Sequence, residues 1–194
     1  MTEKSDHTPA PWKVLSRRQT YKDQWISIRT DEVETSSGLV MPDFHIVEYR
    51  DWVNILPITD DGRIIAIKEY RHGAEAVTIG LPAGSSEDGE NDYEAVAKRE
   101  LMEETGYSAK EWISLGKAYS NWAMQNNQVH FFLALGAEKT GIQNLDPTEE
   151  IEVFEMPYED YLNFNGVEPQ HCHHAAMLHY VERFFARNPH KRPA

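Results

Sequence analysis

From Trp12 onward the chain alternates apolar and polar residues. In "WKVLSRRQTY", "WISIRTDEVE" and "FHIVEYR" the apolar positions recur at every second residue, which predicts three half-buried strands. "SSGLVMPD" lies between the last two and reads as a hairpin turn. "VNILPIT" and "RIIAIKEYR" are denser apolar runs joined by "DDG", and β-branched runs on either side of an Asp-Gly pair predict a second hairpin. The alternation then stops. "LPAGSSEDGEN" reads as a Gly- and acid-rich loop, and a helix is predicted over 92–105. Asp92 is its N-cap, Ala95, Val96, Leu101 and Met102 are its apolar positions, and Gly106 stops it. Beyond it, "WISLGKAYS", "NQVHFFLALGA" and "IEVFEMP" read as strands, with the loop "KTGIQNLDPTEE" before the last. "YEDYLNFNG" reads as a short helix and "EPQHCHHAAMLHYVERFFARN" as an amphipathic one. "MTEKSDHTPAP" is a loose arm at the start, and "PHKRPA" frays at the end. Strands arriving in runs, broken by helices, predict an α/β (α+β) fold with a mixed sheet flanked by helices.

Composition narrows the partners. A chain of 194 residues accommodates one domain with a sizeable core and a small extension. A formal net charge of -13 argues against nucleic acid and membrane as partners, because their phosphates would be repelled. Cys172 is the single cysteine, so no internal disulfide forms and a reducing compartment is expected. Neither a bilayer-spanning apolar run nor a signal-peptide pattern is found, and the expected location is cytoplasmic. An acidic chain that binds a phosphate compound needs divalent cations.

The predicted helix ends in "RELMEETGY". Glu100, Glu103 and Glu104 fall at i, i+3 and i+4 and share one face. Like charges at those spacings destabilise an isolated helix by about a few tenths of a kcal/mol per pair, and the negative end of the helix dipole adds to the penalty. Two readings are open: a solvated acidic face with Arg99 as local counter-charge, or hard oxygen ligands for Mg²⁺ or Mn²⁺.

The wider pattern runs Gly84, five residues, Glu90, eight residues, then "RELMEETGY". It closely resembles the Nudix box of the Nudix hydrolases, in which seven residues separate the glutamate from Arg-Glu-apolar-x-Glu-Glu-x-Gly-apolar. The extra residue is placed in the loop near Asn91, and Tyr107 holds the final apolar position. The resemblance implies the Nudix fold, with Glu100, Glu103 and Glu104 as Mg²⁺ ligands and Mn²⁺ as a possible substitute. The backbone carbonyl of Ala83 would be a further ligand, and Arg99 would orient a box glutamate. "IKEYRHGAEAVTIGLPAG" is similar to the ADP-ribose pyrophosphatase branch, where a "QYR" type strand end leads into "ELPAG". By that likeness Arg71 contacts the substrate's diphosphate; the plain alternative is a solvent-facing strand end. Gly80 stands where the branch usually has an acid.

The branch further implies a homodimer in which an N-terminal β-subdomain, 12–56, exchanges between subunits beside a catalytic domain over 57–188, with a tail over 189–194. Trp25, Tyr49 and Trp52 either stack a base or pack as core. "SNWAMQNN" lacks the Ser-Pro-Gly typical of ADP-ribose enzymes, and Asn121, Gln125, Asn126 and Asn127 either bind sugar or base or shape a turn. In "DPTEEIEV", Glu149 matches the family's loop base, with its neighbour Glu150 as the alternative. "QHCHH" opens an amphipathic helix without a second ligand cluster, so its histidines are expected as caps or surface residues and Cys172 as a small buried hydrophobe. The implied reaction is Mg²⁺-dependent hydrolysis of a nucleoside diphosphate joined to a sugar, with ADP-ribose giving AMP and ribose 5-phosphate. Another substrate (a GDP-sugar, NADH or a dinucleoside polyphosphate) and a sensor that binds without cleaving remain alternatives.

Overall fold

The computed structural model describes residues 9–163 and 171–193. Residues 1–8 of the expected arm, 164–166 of the short helix, 168–170 of the last helix and the final residue of the tail lie outside them. The described chain divides into two compact units, Met1–Tyr49 with Asn121–Asn127, and Arg50–Ser120 with Gln128–Ala194.

In the first unit, β1 (Lys13–Lys22), β2 (Ser27–Glu34) and β3 (Val40–Glu48) form an antiparallel sheet in sequence order. The turn before β3 is shorter than its sequence suggests, because "VMP" already belongs to the strand. Pro42 is accommodated there: β3 is an edge strand, and its pairing slips between Met41 and Phe44. Every residue of β1 is exposed, although it carries Val14, Leu15 and Tyr21, so its alternation finds no covering partner among the described residues.

The dense apolar runs build the second unit. β4 (Trp52–Ile58), β5 (Arg63–Arg71), β9 (Glu111–Tyr119), β10 (Gln128–Leu135) and β12 (Ile151–Pro157) line up in the order β12-β5-β4-β10-β9. β6 (Ala76–Gly80) pairs with β5, and β7 (Ala83–Ser85) with β4. Only β4 and β10 run parallel, so the sheet is mixed. The segment 52–56, expected in the N-terminal subdomain, is thus part of this sheet. A two-residue pair, β8 (Tyr107–Ser108) and β11 (Glu138–Lys139), stands apart.

Helices cover both faces, which is why these strands read as continuous apolar runs. α1 (Tyr93–Thr105) sends Val96, Ala97 and Leu101 against Val53, Ile55, Ile65, Phe132 and Ala134. α2 (Tyr158–Asn163) and α3 (Cys172–Arg187) supply Tyr158, Tyr161, Met177, Val181 and Phe185 to the other face, against Leu56, Ile64, Ala66, Phe131 and Leu133. Successive strand residues divide between the two cores, as the pleat requires. The tail does not simply fray: Pro189–Lys191 form a 3₁₀ turn, with Lys191 bonded to Glu111.

Two caps fix α1. Asp92 accepts from the Ala95 N–H at 3.1 Å, and Gly106, at φ 74°, donates to Met102 O at 2.8 Å. A Cβ at Gly106 would lie 2.7 Å from the Gly141 carbonyl. Gly106→Ala is therefore expected to destabilise the protein by about 1–3 kcal/mol, through left-handed strain and this contact. Urea denaturation measures it, and a loss of only a few tenths of a kcal/mol would show that the loop simply moves aside.

Candidate active site

Three short pieces bring the acids together. β7 pairs with β4 through Asn54 opposite Ala83, Val53 opposite Gly84 and Trp52 opposite Ser85. That pairing lays the "PAG" backbone across the carboxylate face of α1. Glu104 is 4% exposed, and its Oε2 accepts from the Ala83 N–H at 3.0 Å. Glu100 lies against Gly84, where a Cβ would come within 2.1 Å of its carboxyl carbon, so only glycine lets the carboxyl sit there. Arg99 spans the outer side, with Nη1 at 2.9 Å from Glu100 and 3.1 Å from Glu103. Its Nη2 lies 3.5 Å from Glu90 and donates to Ser85 O at 3.3 Å. The residue added between Glu90 and Arg99 is absorbed in the turn before Asp92, so Glu90 still reaches the arginine.

Electrostatics follow from this packing. Burial pushes the Glu100 carboxyl up to about 7, with Arg99 opposing and Glu103 adding to the rise. Burial also raises Glu104 well above the ordinary range, against the Ala83 hydrogen bond and together with Glu100, Glu69 and Glu149. Glu69 is raised as well, by burial against Arg71 and with help from Glu149. Several carboxyls thus converge with Arg99 and Arg71 as their cationic partners among the described residues. Hard oxygen donors crowded to the point of mutual repulsion fit a divalent cation. Glu100, Glu103, Glu104 and the Ala83 carbonyl are the groups that would hold it.

A cleft of about 580 Å³ opens over these acids, lined by Trp52, Glu69, Arg71, Ala83, Glu104 and Glu149 among others, and also by Glu150. Glu149 is held in a turn: its carboxylate accepts from the Asp146 N–H at 3.0 Å, while its own N–H donates to Asp146 O at 2.9 Å. The loop before it is strapped to the end of α1. Gln143 Nε2 donates to Glu104 O at 2.8 Å, and Asn144 N to Glu103 O at 2.9 Å.

The expected residues therefore separate into two groups. Trp52, Arg71, Ala83, Glu104, Glu149 and Glu150 line the cleft, while Glu100 and Glu103 share the helix face of Glu104 behind it and pair with Arg99. Gln125 belongs to the first unit, in a bridge with Val47, and is not among the lining residues. Sequence reasoning missed Glu69, which pairs with Arg71 at 2.5 Å and lines the cleft beside it. Its signal was available: two residues before Arg71 on a strand, it must face the same way. Cys172 is exposed, not buried, because it occupies the first turn of α3 on the side away from the sheet. His171 caps that helix by accepting from the His173 N–H, and the ligand atoms of His171, Cys172 and His173 lie within 4.8 Å of one another.

Known proteins agree with this geometry. The NUDIX domain family matches residues 48–178, and the nucleoside diphosphate sugar hydrolase N-terminal domain matches 12–47. The chain is 32% identical over 174 residues to an ADP-ribose pyrophosphatase of Bacillus subtilis, covering 88% of this chain and 90% of that protein. It is 27% identical over 153 residues to a methanol dehydrogenase activator of Bacillus methanolicus, covering 78% and 82%. A crystal structure of an ADP compounds hydrolase superposes with a TM-score of 0.81 at 22% identity, covering 94% of this chain and 98% of the other, which speaks to the fold.

The buried acids make stability depend on pH. Between the ordinary glutamate value of 4.5 and about 7, the folded protein holds a proton on Glu100 that the unfolded chain has released. Its stability without metal should therefore fall as pH rises through that window, and Glu104, also raised, acts in the same direction. In EDTA, Glu104→Gln should leave the protein equally or more stable at pH 8 and flatten the slope. Denaturation curves at stepped pH test this; a variant markedly weaker than the parent at pH 8 would contradict the reading.

Proposed function

The chain belongs to the NUDIX family, and from that premise we propose that it hydrolyses the diphosphate of a nucleoside diphosphate sugar, with ADP-ribose as substrate and AMP and ribose 5-phosphate as products. The observation that carries this reading is the convergence of Glu100, Glu103 and Glu104 with the Ala83 backbone beneath a cleft that Arg71 overlooks. The relationship to a Bacillus subtilis ADP-ribose pyrophosphatase over nearly the whole chain supports the choice of substrate.

Mg²⁺, with Mn²⁺ as a substitute, is the ion we assign to Glu100, Glu103, Glu104 and the Ala83 carbonyl; such an ion supplies Lewis-acid polarisation of a phosphoryl oxygen and acidifies water. The chain's own groups do the rest. Arg71 holds the diphosphate by a forked guanidinium, once the phosphate oxygens displace Glu69 from part of it. Glu149, or Glu150 beside it, takes a proton from water as the water oxygen bonds to one phosphorus. The P–O bond to the bridging oxygen breaks, and the second phosphate leaves. Arg99 holds Glu100 and Glu103 in place by pairing with both. Trp52 forms a wall of that cleft.

A homodimer is the assembly we favour. Its support is the first unit's exposed apolar surface, which includes Trp12, Val14, Leu15 and Tyr21, and Trp25 at 76% exposure. The single cysteine fits a cytoplasmic setting, and no helix among the described residues is long and apolar enough to cross a membrane.

The test is phosphate release, coupled to a phosphatase, from ADP-ribose, GDP-mannose, UDP-glucose, NADH and diadenosine polyphosphates with Mg²⁺. ADP-ribose should be the strongest substrate, and Glu103→Gln should lower its kcat by on the order of 10²-fold without unfolding the protein. Wild-type turnover by that variant would remove Glu103 from the metal set. Tight binding of one compound without hydrolysis of any would replace the enzyme by a sensor. Glu149→Gln and Glu150→Gln, assayed side by side, identify the base: the variant that loses about 10²-fold or more in kcat carries it.

A further inference from the structure

A second cavity, of about 590 Å³, adjoins the carboxylate cleft and shares Trp52, Glu69, Arg71 and Ala83 with it. Its far side is built from the end of β6, from Asn54 on β4 and from the histidines at the start of α3. The metal-binding and diphosphate-binding groups described above leave this side without a task.

An amide and imidazoles dominate that side. Asn54 is 3% exposed and His173 is 7% exposed, and both line the cavity. Among the described residues, Asn54 Oδ1 and His173 Nε2 are each buried without a hydrogen-bond partner. Two such atoms in the wall residues leave hydrogen-bonding capacity that a ligand bringing both a donor and an acceptor would satisfy. His174 completes the wall, with its ring 3.1 Å from where a Cβ on Gly80 would stand and its Nε2 accepting from the Leu81 N–H at 3.4 Å. The absence of a side chain at Gly80 is what admits this imidazole. Burial keeps His173 and His174 neutral, with values near 3 and 4. The formal charges, Arg71 and Glu69, stand at the shared boundary with the cleft.

We propose that this histidine- and asparagine-lined cavity is the subsite for the glycosyl group of the substrate, recognising sugar hydroxyls through Asn54, His173 and His174 while the diphosphate lies at Arg71. Imidazole and amide groups match hydroxyls because each hydroxyl both donates and accepts. A nucleobase suits the cavity less well. Trp52 and His173 meet at 90°, and His171 meets His173 at 76° and His174 at 67°, so these rings offer no parallel slot for a flat base. The indole of Trp52, part-exposed at the boundary, gives the sugar's apolar face a surface to rest on.

This inference rests on the nucleotide-sugar reading, and the experiment separates the two. Asn54→Ala and His174→Ala are compared with the parent protein in Mg²⁺ on ADP-ribose and ADP-glucose, with ADP as a competitive inhibitor that lacks a glycosyl group. The KM of both sugars should rise about tenfold, the loss of one hydrogen bond to each, while kcat and the Ki of ADP stay the same. Equal weakening of all three ligands, or no change in any, overturns the subsite. Binding gives a second readout on the intact parent chain: ribose 5-phosphate added to protein with isotope-labelled histidine should shift the imidazole signals of His173 and His174. Such shifts without hydrolysis of any nucleotide sugar would sink the proposed activity and leave the subsite supported. Hydrolysis of ADP-ribose with both signals unmoved by saturating ribose 5-phosphate would sink the subsite alone.

Discussion

Mutual repulsion among desolvated carboxyls is the constraint on which the rest of this structure depends. Glu100 and Glu104 are largely withdrawn from solvent, and burial pushes both up in pKa. The fold supports that arrangement with a small number of groups. The Ala83 N–H holds Glu104, Gly84 makes room for Glu100, and Arg99 draws Glu100 and Glu103 together from outside. Two of these supports belong to β7 and the third to α1, so the carboxyl cluster exists only when β7 and α1 are both in place. A site of this kind stores unfavourable energy in the folded protein, and binding a cation releases it.

The sheet supplies the rigidity. Strands buried on both faces leave β4 little freedom, and β7 is registered against β4 by its pairing. The position of the "PAG" backbone relative to α1 is therefore set by the core on both sides of the sheet. Arg71 and Glu69 end the neighbouring strand β5, where the core stops and the cleft begins. Chemistry is confined to strand ends, loops and the last turns of α1, while the interior that positions them is almost wholly apolar.

Much of this was legible in the sequence because it depends on short-range rules. The carboxylate face of α1 follows from i, i+3, i+4 spacing alone, and Asp92 and Gly106 announce the helix ends by their side chains. The long strands β4, β5 and β10 were visible as apolar runs. What stayed hidden depends on long-range pairing. "AGS" has no strand propensity and becomes β7 only beside β4. Pro42 reads as a turn residue, yet the edge of a sheet tolerates it at a bulge. Glu69 looked like any polar position on an alternating strand until the fold set it next to Arg71 and facing Glu149. Cys172 was misjudged because a helix's first turn offers both buried and open directions, and neighbouring residues do not reveal which one a side chain takes.

The strap that follows α1 has a dynamic consequence. A helix ends with carbonyls that lack partners within it, and here the loop provides them: Asn144 and Gln143 serve the carbonyls of Glu103 and Glu104, and Thr140 and Gly141 both donate to Gly106 O. The last turn of α1 and the segment leading to Glu149 are thereby joined into one cooperative opening unit. Fraying of the helix end releases the loop, and a loop excursion uncovers the helix end. Glu149 lines the cleft from the far end of this loop, so its placement and the order of the turn that carries the acids are two aspects of a single equilibrium.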